Sequence, residues 1–270
     1  MKYWLIFGLL LCFSWLSANE TRWPLQKTDV REYAFFNRKY AKIHVPGKDS
    51  TRLNRFFQKV DTLLKYKNEP VNILHIGGSH VQAGIFPKQM RKNLNPLNDT
   101  IQNLCLTYHF IGKNGASVPF YLNCDYLTDT LSVICPDLII FAIGINDATS
   151  RQFSPETFRQ NYNQLIETIE QINPDCAFLF ITNNDSYRRV TRRKYRVNPN
   201  GETARQVFYQ LAEEHQGGVW DLFEWMGGLR SMQKWQNAGL SQRDKVHFTH
   251  AGYQLIGNQF FNALIDYINE

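Results

Sequence analysis

Six consecutive apolar residues, Leu138-Ile139-Ile140-Phe141-Ala142-Ile143, leave a strand at this position no polar face. A strand of this kind is covered on both sides, as in a parallel sheet sandwiched between helices. Further strand candidates fall at 71–76, 104–111, 177–182 and 218–222. They alternate with helix candidates at 51–67, 85–94, 155–172, 202–215 and 249–268. In the first of these helices Leu53, Phe56, Phe57, Val60, Leu63 and Leu64 recur at helical spacing. Ser154-Pro155-Glu156 places a capping hydroxyl, a proline at the first helical position and an acid in the first turn, and Thr249 is placed to cap the last helix. The alternation predicts an α/β fold, a three-layer α/β/α sandwich with a central, mostly parallel, five-stranded sheet of flavodoxin-like type.

At 270 residues and 43% hydrophobic, the chain is long enough for one large domain, and no repeat or low-complexity linker divides it. Residues 51–270 are expected to form that domain, and residues 19–50 an extended N-terminal arm without periodicity. Residues 1–18 read as an export signal: Met1-Lys2 is a short positive start, Tyr3 to Leu16 is apolar, and Ser17-Ala18 offers a small-residue cleavage site. The apolar stretch is shorter than the roughly 20 residues that span a bilayer. The protein is therefore expected to be periplasmic or secreted. Of the cysteines beyond this leader, Cys105, Cys124, Cys135 and Cys176, none forms a Cys-x-x-Cys pair, which argues against zinc and redox motifs. A Cys105–Cys124 disulfide and buried thiols are both open. The net charge of +6 gathers in Arg188, Arg189, Arg192, Arg193, Lys194 and Arg196. Behind an export signal this Arg188–Arg196 loop fits an anionic polymer of the cell envelope better than nucleic acid, with a solvated loop as the plain alternative.

Ligands of open α/β sheets sit beyond the carboxyl ends of the strands. Four glycine-bearing or polar segments can converge there: Gly77-Gly78-Ser79, Gly112-Lys113-Asn114-Gly115, Gly144-Ile145-Asn146-Asp147 and Asp244-Lys245-Val246-His247. A serine at the tip of a sharp turn, with a carboxylate and an imidazole three residues apart downstream, supplies the parts of an activated nucleophile.

In this order the four blocks resemble the SGNH (GDSL-type) hydrolase superfamily across residues 70–268. The stretch Ile73 to Leu94, with Ser-His-x-Gln-Ala-Gly, is similar to bacterial peptidoglycan O-acetyl esterases. So is Met226-Gly227-Gly228 with Ser231-Met232 and Trp235. The resemblance implies Ser79 as nucleophile, His247 as general base and Asp244 as its partner. It implies an oxyanion hole from the N–H groups of Ser79 and Gly115 and the Asn146 amide, with no metal or organic cofactor needed. His80 and Trp235 are candidate substrate contacts, and Trp225 and Trp235 suit stacking on sugar; packing is the plain alternative, His80 against the turn and the Met226–Trp235 stretch as a structural loop over the site. One departure is plain: Gly78 stands where the family has aspartate. The expected function is an exported serine esterase removing O-acetyl groups from an envelope or extracellular glycan, peptidoglycan first. The alternatives are a glycan O-acetyltransferase with the same triad and a catalytically degenerate glycan-binding protein.

Overall fold

The computed structural model of the protein describes residues 23–269 apart from 48, 68, 101–104 and 193. The expected leader, residues 1–18, lies outside the described residues. Among the described residues eight strands are present: β1 Ile43–His44, β2 Val71–Gly77, β3 Leu106–Gly112, β4 Leu138–Ala142, β5 Ala177–Ile181, β6 Tyr187–Arg189, β7 Tyr195–Val197 and β8 Gly218–Trp220. The main sheet runs β1-β8-β5-β4-β2-β3, parallel throughout except for β1 against β8, while β6 and β7 form a separate antiparallel hairpin.

The five expected strands are those of the parallel sheet. The sixth, β1, comes from the arm, where two paired residues leave no periodic signal. The described part of this arm is packed down rather than splayed. Trp23 and Leu25 are buried in the core, and Asn262 of the last helix bonds the Thr28 backbone through both amide atoms. The helix expected at 85–94 continues to Thr100 through Pro96, because buried Leu94 and Leu97 hold its last turns against the core. The Cys105–Cys124 disulfide is absent, as none of Cys105, Cys124, Cys135 and Cys176 is in a disulfide.

Successive residues of the central strands face opposite layers, and both faces are apolar. Leu138, Ile140, Leu179 and Ile181 pack with Leu53, Met90 and Phe260 on one side; Ile139, Phe141, Phe178 and Phe180 pack with Leu131, Tyr162 and Phe208 on the other. The continuous apolar run is thus a consequence of two helical layers.

The order β3-β2-β4-β5 places a topological switch between β2 and β4, because the chain leaves β2 for one neighbour and returns to its other side. Gly77 is in register with Gly112 on one side and Ala142 on the other, so three strands end at one level. A Cβ on Gly77 would meet Val81 Cγ2 at 2.2 Å and the Ala142 carbonyl at 2.8 Å, and one on Gly112 would meet the Gln82 nitrogen at 2.3 Å. The absent side chains let the short helix Ser79–Gln82 seat directly on the strand ends. Gly78 is different, since its nearest atoms would be at 3.6 and 3.7 Å. We expect Gly77→Ala to lower stability by about 3 kcal/mol in urea denaturation, since a fixed carbonyl and a β-branched side chain must yield. Gly78→Ala should lose markedly less.

Candidate active site

Ser79 is the first residue of the helix that follows β2, so its side chain stands at the carboxyl edge of the sheet. The Val81 and Gln82 N–H groups bond the Gly78 carbonyl, whereas the Ser79 N–H has no acceptor among the described residues. The strand end is fixed by Tyr121, whose hydroxyl donates to the Gly77 carbonyl at 2.8 Å, and by the Lys113 N–H at 3.2 Å.

Asp244 and His247 come from the loop before the last helix. One Asp244 oxygen accepts the Val246 and His247 N–H groups at 2.9 and 3.0 Å; the other accepts His247 Nδ1–H at 2.7 Å. The three-residue spacing therefore has a local cause: the same carboxylate closes the turn and orients the ring. Burial opposes its charge, but the His247 side chain and these two N–H groups outweigh burial and pull the pKa down to about 2. An ionised carboxylate only accepts, so the proton lies on Nδ1 and the Nε2 lone pair is left for Ser79. Ser79 Oγ is 2.9 Å from Nε2, which is hydrogen-bond reach for passing the hydroxyl proton to the ring.

Asn146 follows β4 across the switch point. Its Nδ2 donates to the Ala116 carbonyl at 2.7 Å and lies 3.6 Å from where a Gly78 Cβ would stand. One N–H is thereby fixed, and the other remains for a ligand beside Ser79. Gly115 sits in the adjoining turn at φ +75°, exposed, with open space around it and an N–H that has no acceptor among the described residues. Asp147 ties the two loops together, both of its oxygens lying 3.2 Å from the Val118 nitrogen. The structure thus brings Ser79, Gly115, Asn146, Asp244 and His247 to one rim.

The two tryptophan candidates are corrected. Trp235 is fully buried, donates to the Met226 carbonyl at 3.0 Å and packs on Phe248 at 5.0 Å between centroids. It has no face for a sugar, and Trp225 is likewise buried. Phe35 and Phe36 of the arm pack on Trp235, so this stack supports the residue next to His247 from behind. His80 offers a substrate no polar atom: Nδ1 bonds the Tyr253 hydroxyl at 2.9 Å, and Nε2 is buried. Burial and the neighbouring His247 push its pKa down to about 3, so a neutral ring lies 5.2 Å from the His247 ring. Asp185, just beyond β5, is buried and accepts the Met232 N–H at 2.9 Å. His250 opens the last helix, exposed to solvent.

The sequence showed the arginines of the basic loop but not their arrangement. Arg188, Arg189 and Arg196 belong to the β6–β7 hairpin and, with Arg151, Tyr187 and Tyr195, line a groove of about 810 Å³ that reaches Asp244. Arg193 lies outside the described residues. Among those described, no cluster of three His, Cys, Asp or Glu side chains could hold a metal ion.

Buried Asp185 has a pKa raised to about 6, burial outweighing the backbone N–H groups that favour its charge. A raised carboxyl pKa favours the fold at low pH, and that contribution fades as pH rises through 6. Asp185→Asn keeps an acceptor for Met232 and removes the titration. Its stability relative to wild type should therefore rise between pH 4 and pH 8 by up to about 3 kcal/mol, read by urea denaturation at both values. A difference independent of pH would refute this.

Three solved structures share this architecture. A peptidoglycan O-acetylesterase superposes with a TM-score of 0.72 at 15% identity, covering 82% of this chain and 98% of its own. An acetyl xylan esterase gives 0.57 at 17% identity, covering 72% and 100%. A two-domain esterase active on acetylated mannans gives 0.59 at 20% identity, covering 86% of this chain and 58% of that one. No curated protein matches the chain by sequence. The family model for the GDSL-like lipase/acylhydrolases matches residues 66–255, a span that holds every residue of the Ser79–His247–Asp244 hydrogen-bonded series. The chain belongs to the GDSL-like lipase/acylhydrolase family.

Proposed function

We propose that this protein is an exported serine esterase that removes O-acetyl groups from a cell-envelope or extracellular glycan, with peptidoglycan the first candidate. The observation that carries the proposal is the 2.9 Å contact between Ser79 Oγ and a His247 ring held from behind by Asp244. Ser79 Oγ attacks the acetyl carbonyl while His247 Nε2 takes its proton, and Asp244 stabilises the imidazolium. The tetrahedral oxyanion is received by the Ser79 and Gly115 N–H groups and the second N–H of Asn146. The bond to the sugar oxygen breaks, His247 returns the proton to that oxygen, and the acetyl group remains on Ser79. Water then attacks the acyl-enzyme with His247 again as base, releasing acetate and restoring the serine.

The glycan assignment draws support from the acetylated polysaccharides named for the structural relatives and from the basic groove beside Asp244. Export draws support from the leader-like first 18 residues.

The test is acetate release from acetylated peptidoglycan, acetylated xylan and p-nitrophenyl acetate. Ser79→Ala and His247→Ala should each abolish turnover, and Asp244→Asn should cause a smaller loss. Asn146→Ala should slow the reaction by about 10²–10³, the usual effect of removing one oxyanion donor. Full activity in Ser79→Ala would overturn the proposal, and an acetylated acceptor in place of acetate would mark a transferase. Failure of the wild-type protein to turn over any ester or to react with a fluorophosphonate would leave a glycan-binding protein.

A further inference from the structure

The β6–β7 hairpin places charges where an isolated two-stranded ribbon would not. Arg188 and Arg196 are directly opposed across the strands. Like charges in that position repel. Arg151 adds a third positive charge on the same groove, and burial, with the Arg151 field as the lesser cause, lowers the Arg188 pKa. No ion pair involves Arg151, Arg188, Arg189 or Arg196 among the described residues. The acid that does reach the groove, Asp244, is committed to His247.

Arg188 is also held in place. Its terminal nitrogen donates to the Ala148 and Ser150 carbonyls at 3.1 and 3.3 Å, while its Nε is buried without a partner. The mounting of the hairpin is equally specific. The Tyr187 N–H bonds the Lys245 carbonyl, between Asp244 and His247. Asn198 and Asn200 donate to the Ala148 carbonyl, at the end of the helix that carries Asn146. An anion held here is therefore in register with both the imidazole and the amide of the active site.

We propose that this groove is a subsite for a carboxylate carried by the same glycan chain as the ester, bound by Arg188 and Arg196 with Arg151 adding to the field. This rests on the esterase proposal for the ester itself, but not for the binding of the acid. Two guanidinium groups match the two oxygens of a carboxylate, and Tyr187 and Tyr195 supply ring surface along the groove for the sugar. The substrate would be an acidic O-acetylated polymer, and a neutral acetylated chain would lack the contact.

The experiment compares kcat/KM for an O-acetylated peptidoglycan fragment, an O-acetylated galacturonan oligomer and a neutral O-acetylated xylo-oligomer. The first two separate a lactyl or peptide carboxylate from a uronate. At least one acidic substrate should exceed the neutral one, and that ratio should fall about tenfold, through KM, in both Arg188→Gln and Arg196→Gln. Raising salt should erode the acidic rate alone. Taking a ratio cancels any general loss from a disturbed hairpin, and exposed Arg196 covers the case in which Arg188→Gln does not fold. Arg55→Gln, on the helix Thr51–Tyr66, controls for net charge and should leave the ratio unchanged. Calorimetry of Ser79→Ala with the same oligomers should give tighter binding of the acidic one. A wild-type ratio near one, or a ratio indifferent to Arg196→Gln, overturns the proposal. If the wild-type protein hydrolyses no ester, the esterase proposal fails and the calorimetry still decides this one.

Discussion

The site depends on a steric constraint at the end of three adjacent strands. Because Gly77 and Gly112 carry no side chain, a helical turn descends onto the sheet edge until its backbone lies against Gly112 and its Val81 side chain against Gly77. That contact decides where Ser79 stands, and Asn146 enters from the other side of the switch point. The contribution of the two glycines is positional: they let the hydroxyl and the amide come from different strands and still share one rim.

The imidazole reaches the rim by a different route. The loop from 239 to 249 is shaped by its own hydrogen bonds, with the Gln242 N–H on the His247 carbonyl and Asp244 closing the turn. It is braced from beneath by Phe248, Trp235 and the arm phenylalanines. The rings near His247 are thus apolar or neutral, His80 included, and Asp244 is the charge in direct hydrogen-bond contact with it. Fixed positive charge gathers instead on the hairpin. This separation keeps the His247 tautomer under the control of one carboxylate.

The parts of the sequence that could be read were those whose signal is local. Continuous apolar runs located β4 and β5, because burial on both faces is recorded residue by residue, while β2 and β3, which carry Asn72, His75, Thr107 and His109, were legible through their remaining apolar residues. The Asp-x-x-His spacing was legible for a similar reason, since both ends of the interaction lie in one turn. Signals that need a tertiary partner were not. Trp235 has the composition of a sugar-stacking residue, and only the arrival of Phe35 and Phe36 from some 200 residues upstream reveals that it is covered. A run of arginines does not disclose that two of them oppose each other across a hairpin. Likewise Gly77 and Gly78 look equivalent in the sequence, yet one has a carbonyl against it and the other has room.

The two-residue strand β1 has a consequence for how copies of this protein behave together. An exposed parallel edge is a template for pairing with a neighbour's strand. Here β8, the strand at that margin, is covered antiparallel by Ile43 and His44, a segment too short to seed an extended ladder of its own. The arm therefore acts as a hem on the sheet, blocking edge-to-edge polymerisation on that side.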